Sequence, residues 1–138
     1  HAVLYRLELA QLRECLTVMN AQRIRAVDLP GTAVRMLAFA VRHLPAAISR
    51  PLLSRAIGKG RGAKMPSFHI DLHAGRGQSE VNYLNGAIVR AGTRLGLPTP
   101  ANQVLTNTLL GLTSGALQME DFSHKPEKLL KQLQMLES

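Results

Sequence analysis

The apolar positions of this 138-residue chain recur at helical spacing, and proline and glycine interrupt them. Between residues 3 and 24, apolar side chains follow one another three, four or five positions apart, which is typical of one face of a helix. They are Val3, Leu7, Leu12, Cys15, Leu16 and Met19. Residues 28–31, Asp-Leu-Pro-Gly, predict a turn. A second helix is expected over 32–43, and a third after Pro45 or Pro51 toward Ile57.

The third helix is expected to end at residues 58–62, where glycine alternates with lysine and arginine. This segment has no apolar anchor, so the pattern predicts a mobile loop.

The second half has a more regular apolar pattern. Ser79 is expected to cap a single long helix, in which apolar residues recur three and four positions apart at Val81, Leu84, Ile88, Ala91 and Leu95. Gly96 and Pro98 should end that helix.

Thr99 and Pro100 predict the start of another helix, with the threonine as the cap and proline at the first helical position. A last amphipathic helix is expected from about Pro126. Since no stretch alternates as a strand does, the predicted fold class is all-α.

Composition and charge give the chain a basic half. Hydrophobic residues make up 46% and charged residues 19%, so we expect a packed core. The net charge of +8 is confined to residues 1–64, which contain 11 basic and 3 acidic side chains. A basic half of this kind is typical of proteins that bind nucleic acid or another anionic surface. Aromatic residues are only 4% and tryptophan is absent, which gives base stacking little support. Nucleic-acid binding is therefore not favoured.

The other sequence features predict a protein without a membrane span and with its cysteine as a free thiol. No apolar run approaches the roughly 20 residues that span a bilayer, so no membrane span is expected. The single cysteine, Cys15, has no partner for an internal disulfide, and a cytoplasmic setting follows as the default. It is expected to be a buried core thiol. The chain begins at His1 rather than at methionine, and we expect it to be part of a longer protein.

Candidate chemistry concentrates at the start of the helix after Ser79. Glu80, Asn82 and Asn85 lie within two turns of an otherwise apolar helix. The helix dipole alone would explain a glutamate there. The concentration of polar groups is nevertheless suited to hydrogen-bonding a small polar ligand. On a regular helix Glu80 and Tyr83 would share one face, and the two asparagines another.

Two other patterns are weaker. His69 and His73 could reach one zinc ion from a helix, but Asp71 would point away, so no metal site is predicted. The glycine-rich residues 58–62 and 75–77 lack both the G-x-G-x-x-G spacing and a preceding strand. We find no complete catalytic apparatus in the chain.

Four segments occur in an order that resembles the C-terminal domain of ketopantoate reductases (2-dehydropantoate 2-reductases). They are P-S-F-H-I-D-L at 66–72, G-R-G-Q-S-E-V-N-Y-L-N-G at 75–86, V-R at 89–90 and G-L-P-T-P-A-N at 96–102. The resemblance implies one helical domain over residues 1–138, a bundle similar to the C-terminal domain of 6-phosphogluconate-dehydrogenase-like reductases. It also implies an N-terminal Rossmann domain that is absent from this chain.

The resemblance further implies an activity for the full-length protein. That activity is NADPH-dependent reduction of a 2-oxo acid, ketopantoate to pantoate in pantothenate biosynthesis, by a homodimer whose cofactor is bound mainly by the Rossmann domain. By motif position, Ser67 is similar to the serine that hydrogen-bonds the substrate. Glu80 is similar to the catalytic glutamate, which lies near both the substrate hydroxyl and the nicotinamide. The fragment alone should be inactive.

The sequence departs from the family at two substrate-binding candidates. Asn82 stands where an aspartate is usual, and Lys64 stands about where many members have a substrate-binding asparagine. The family's catalytic lysine lies upstream of anything in this chain. The alternatives are a reductase relative that serves only in assembly, or a non-enzymatic basic helical module that binds nucleic acid or an acidic protein partner.

Overall fold

A computed structural model describes residues 2–61 and 79–137, with side chains over 4–56 and 79–137. The first range forms helices α1 (Ala2–Ala21), α2 (Val34–His43) and α3 (Ala46–Arg61). The second forms a 3₁₀ turn (Glu80–Asn82, here the Glu80 turn), α4 (Asn85–Leu95), α5 (Pro100–Thr113), a 3₁₀ turn at Met119–Asp121 and α6 (Pro126–Glu137). Neither range contains a strand, so the all-α prediction is confirmed.

The chain divides into two compact units, His1–Lys64 and Met65–Ser138. None of the helices in the described ranges has the length and apolar character needed to cross a membrane.

In the first unit, helices α1, α2 and α3 pack around a small apolar core. Its buried members are Tyr5, Leu9, Val41 and Leu53. The hydroxyl groups of Tyr5 and Ser49 form a hydrogen bond between α1 and α3, and Ser49 is fully buried. A buried polar pair of this kind adds directional specificity to apolar packing, because a misaligned helix would leave a hydroxyl unsatisfied.

Two arginines join α1 to α2. Arg13 Nε donates to the carbonyl of Val41 at 2.9 Å, and Arg42 Nη2 donates to the carbonyl of Leu16 at 2.8 Å. Two of the basic side chains that distinguish this half of the sequence therefore form hydrogen bonds within the unit.

The predicted turn over 28–31 is present. Leu29 and Thr32 exchange two backbone hydrogen bonds, of 3.1 and 2.9 Å, across Pro30 and Gly31. Gly31 has a φ of +75°, which favours glycine. Asp28 Oδ1 accepts from the backbone N–H of Arg35 at 2.8 Å, in the first turn of α2.

Helix α3 corrects the loop prediction for residues 58–62. It begins after Pro45, contains Pro51, and continues through Gly58 to Arg61. Each glycine costs a helix about 1 kcal/mol relative to alanine, but extending an existing helix needs no new nucleus. The continuing helix therefore overrides the glycines up to residue 61.

In the second unit, α5 packs against α4, α6 and the Glu80 turn. Over residues 79–137 of this unit, the buried apolar side chains are Val81, Ala91, Ala101, Val104 and Leu133. The Glu80 turn also contacts α4, so two helices support it.

The single helix predicted from Ser79 to Leu95 is wrong. The structure has the Glu80 turn, then a break at Leu84 (φ −94°, ψ −86°), then α4. Only part of the predicted seam is buried: Val81 and Ala91 are inside, whereas Leu84 is 56% and Leu95 42% exposed. The spacing of apolar residues fits a continuous helix across the break, because this spacing does not depend on the backbone angles at Leu84.

The connection from α4 to α5 follows the prediction with one exception. Gly96 ends α4 in the left-handed conformation, at φ +66°, and Pro100 is the first residue of α5. The side chain of Thr99 makes no capping hydrogen bond. Thr99 is instead buried against Gly92, where an added Cβ would lie 2.7 Å from Thr99 Cγ2. Thr99 is thus the N-cap residue as predicted, and its carbonyl accepts from the N–H of Gln103 at 3.0 Å, but its side chain packs instead of capping.

Candidate functional site

The Glu80 turn is fixed from the inside of the second unit. The hydroxyl of Ser79 accepts a hydrogen bond from the backbone N–H of Val81 at 3.2 Å, which confirms Ser79 as a cap. Val81 has no exposed surface and packs into the core. A turn with one capped end and one fully buried side chain gives its neighbours a defined position.

Glu80 lies on the exposed side of this turn. Its carbonyl oxygen accepts from the N–H groups of Tyr83 at 2.9 Å and Leu84 at 3.0 Å. Residues three apart in a 3₁₀ turn are eclipsed, which places Glu80 and Tyr83 on the same side. Tyr83 is 79% exposed and Leu84 56%. The carboxylate of Glu80, the ring of Tyr83 and the aliphatic side chain of Leu84 are thus all exposed at the surface of this turn.

Asn82 is held by Arg90 of α4. Arg90 Nη1 donates to Asn82 Oδ1 at 2.9 Å, and Arg90 Nη2 donates to the carbonyl oxygen of Asn82 at 3.0 Å. We call this pair of bonds the Arg90 clamp. Beneath it lies Gly86, where an added Cβ would be 2.8 Å from Asn82 Oδ1 and 3.2 Å from Arg90 Nη1. The clamp therefore needs glycine at position 86.

Asn85 points to a different partner. Its Nδ2 donates to Asn102 Oδ1 of α5 at 2.9 Å, and Asn102 is only 2% exposed. Thr106 Oγ1 donates in turn to the carbonyl of Asn102 at 2.7 Å. The structure thus brings Glu80 and Asn82 onto one exposed turn, whereas Asn85 takes part in the packing of α4 against α5.

Several candidates from the sequence lie outside the described residues. Among them are Ser67, Lys64, the residues His69, Asp71 and His73, and the glycines of 75–77. Within 2–61 and 79–137, no three histidine, cysteine, aspartate or glutamate side chains are grouped so as to hold a metal ion.

Sequence reasoning named Gly86, Arg90 and Asn102 only as parts of a motif and gave them no role. Residues 82, 86 and 90 are spaced four apart, the distance of one helical turn, and this spacing is a usable signal. The sequence pattern hides this signal, because on an unbroken helix Asn82 and Asn85 share one face, whereas in the structure the break at Leu84 separates them. A buried asparagine such as Asn102, among apolar positions of α5, is a second signal.

Comparison with known families gives one match. The family model described as ketopantoate reductase PanE/ApbA C terminal matches residues 3–113. This range includes helices α1 to α5 and the Glu80 turn. No curated protein and no solved structure matches the chain. Because the match extends over most of the sequence, the chain belongs to the ketopantoate reductase C-terminal domain family.

Proposed function

We propose that this chain is the substrate-binding domain of an NADPH-dependent reductase of a 2-oxo acid, and that Glu80 is its catalytic carboxylate. The observation that supports this most strongly is the position of Glu80, exposed on a turn that buried Val81 and the Ser79 cap hold in place. Groups that orient a substrate need such a fixed support. Ketopantoate is the first substrate to test, since the family is named for it.

The reaction adds a hydride to the oxo carbon and a proton to its oxygen, giving a 2-hydroxy acid; the proton comes from a group outside this chain, and the family's upstream lysine is the candidate. NADPH supplies the hydride when it is bound. With ketopantoate, which has a hydroxyl group separate from its oxo group, Glu80 accepts a hydrogen bond from that hydroxyl and so turns the oxo carbon toward the nicotinamide. Holding the reacting groups in this geometry lowers the entropic part of the barrier.

The described residues fit one wall of a cofactor site. Dinucleotides bind at the carboxyl ends of parallel strands, and the ranges 2–61 and 79–137 contain no strand. Glu80, Tyr83 and Leu84 form an exposed surface that a bound nicotinamide could approach. This supports a division of labour in which an N-terminal Rossmann domain binds most of the NADPH and the surface around Glu80 closes the site.

The other substrate contacts are assigned by motif position. Ser67 hydrogen-bonds the substrate, and Lys64 attracts its carboxylate by charge. Asn82 uses two oxygen atoms to accept from Arg90, and its side-chain amide group still has N–H donors suited to a substrate oxygen.

The test uses the full-length protein with a panel of 2-oxo acids and with both NADPH and NADH. We expect oxidation of NADPH with ketopantoate or a close analogue, and Glu80→Gln should lower kcat by about a hundredfold. The matched control is Glu120→Gln, an exposed glutamate in the other 3₁₀ turn, which should leave kcat unchanged. Absence of activity with every acid, or a Glu80→Gln variant as fast as wild type, would contradict the proposal.

Two further properties belong to the same proposal. The full-length protein is expected to be a cytoplasmic homodimer in pantothenate biosynthesis. Light scattering of the purified protein measures its mass directly, and a monomer at working concentration would refute the dimer without affecting the assignment of Glu80.

A further inference from the structure

The Arg90 clamp joins the exposed side of the Glu80 turn to α4. Its two bonds, of 2.9 and 3.0 Å, reach one side-chain oxygen and one backbone oxygen of the same residue, Asn82. A planar guanidinium with two donors at fixed separation holds both the rotamer and the peptide plane of its acceptor. The clamp therefore fixes the end of the turn rather than only the tip of a side chain.

The Glu80 turn is supported unevenly: the N–H groups of Tyr83 and Leu84 donate to the carbonyl oxygen of Glu80 at 2.9 and 3.0 Å, whereas the bond at Asn82 is weaker. The turn is three residues long, and the N–H of Asn82 lies 3.4 Å from the carbonyl oxygen of Ser79, a long hydrogen bond. Val81 anchors the inner side, whereas Glu80 and Asn82 are exposed. On the exposed side, the Arg90 clamp ties Asn82 to α4.

Gly86 is a second observation that supports the Arg90 clamp, because the clamp restricts which residue can occupy position 86. Glycine is among the least favourable residues in a helix, yet Gly86 lies in the first turn of α4 and is buried. A Cβ there would be 2.8 Å from Asn82 Oδ1, closer than carbon and oxygen approach without bonding. The glycine leaves the space that Asn82 needs to meet Arg90.

We propose that Arg90 is a positioning residue for the reaction, and that it acts by holding, through Asn82, the turn that presents Glu80. This inference rests on the role of Glu80 proposed above. Arg90 has no direct part in the chemistry. Its loss should let the turn move, so that Glu80 spends less time in the geometry that orients the substrate.

The experiment compares Arg90→Met with Arg94→Met in the full-length protein. Arg94 lies one turn further along α4 and is also exposed, so the control removes the same charge from the same helix. Hydrogen exchange of the segment 79–84 is followed by mass spectrometry, and kcat and KM are measured for the same preparations. With Arg90→Met we expect exchange in 79–84 to rise about tenfold and kcat to fall about tenfold, with a smaller change in KM. Arg94→Met should change none of these.

Three more variants test how Arg90 acts. Asn82→Ala removes the side-chain bond of the clamp but leaves the bond to the backbone oxygen, so it should raise exchange in 79–84 less than Arg90→Met does. In the double variant exchange should be no faster than in Arg90→Met, because the clamp is already absent there. Arg90→Lys keeps the charge but lacks the two-pronged geometry, so it should recover only part of kcat. Additive increases in exchange in the double variant would contradict the mechanism.

Two results would overturn the proposal, and one would affect only its premise. Unchanged exchange in Arg90→Met would show that the clamp does not hold the turn. The second result applies if Glu80→Gln lowers kcat as proposed. If Arg90→Met then speeds exchange in 79–84 but leaves kcat unchanged, holding the turn does not matter for the reaction. If wild type reduces no 2-oxo acid, the proposed function fails, and exchange alone then decides whether Arg90 orders the turn.

Discussion

At the residue scale, two glycines of α4 are required by different neighbours. Gly86 leaves room for the exposed side chain of Asn82, whereas Gly92 lies against Thr99 and the backbone carbonyl of Leu97. An exposed side chain can swing away from an added methyl group, but a backbone carbonyl in a tight connection cannot. The same glycine-to-alanine change should therefore have different consequences at the two positions.

Gly92→Ala should lower the free energy of unfolding by roughly 1–3 kcal/mol, because its Cβ meets crowded, buried atoms. Those atoms are Thr99 Cγ2 at 2.7 Å and the carbonyl oxygen of Leu97 at 2.8 Å. Gly86→Ala should cost less stability, while still displacing Asn82 from Arg90 and speeding hydrogen exchange in 79–84. Denaturant unfolding of both variants measures the difference, and equal losses of stability would contradict the account.

Cys15 provides a pH-dependent prediction. The expected buried core thiol is only half-buried, with Sγ 3.9 Å from Met19 Sδ, and this burial raises the pKa of the thiol. The folded protein therefore retains the thiol proton at pH values where the unfolded chain releases it. The resulting stabilisation is present below the usual thiol pKa of about 8.5 and is lost as pH rises through the raised folded value.

The measurement is the free energy of unfolding of wild type and Cys15→Ala as pH increases from 8 upward. The wild-type value should fall more steeply, since the variant lacks this titration. Parallel curves would show that burial does not affect the thiol.

At the element scale, the sequence predicted long periodic helices well and short connections poorly. Helices α1, α2 and α6 were expected close to their observed positions because one apolar stripe repeats over several turns. The break at Leu84 was missed, since the spacing of apolar residues continues through it. The Arg90 clamp depends on a bond between two exposed polar residues, which hydrophobic periodicity does not encode. Glu80 was identified from its motif, and its exposure on a capped turn needed the structure.

The contact between α1 and α3 depends on the buried hydroxyl pair of Tyr5 and Ser49. Tyr5→Phe would leave the hydroxyl of Ser49 in a site with no exposed surface, at a cost of about 1–3 kcal/mol. Tyr83→Phe is the matched control, because that tyrosine is 79% exposed. Thermal unfolding should separate the two variants, and a Tyr5→Phe protein as stable as wild type would show that the pair contributes nothing.

At the scale of the whole molecule, the charge distribution and the family match single out different parts of the chain. The excess of basic residues is confined to 1–64, where Arg13 and Arg42 bond to backbone carbonyls between helices. The family match runs through both units, over residues 3–113. The basic half is thus part of the family's domain. Ser67 and Lys64 remain predictions from motif position.

The central claim is that Glu80 orients a 2-oxo acid for reduction. Its most direct test is a single-turnover measurement of NADPH oxidation by the full-length protein with saturating ketopantoate, comparing wild type, Glu80→Gln and the control Glu120→Gln. We expect the rate constant to fall about a hundredfold in Glu80→Gln alone, with unchanged thermal stability. A Glu80→Gln protein that transfers hydride at the wild-type rate would contradict the claim.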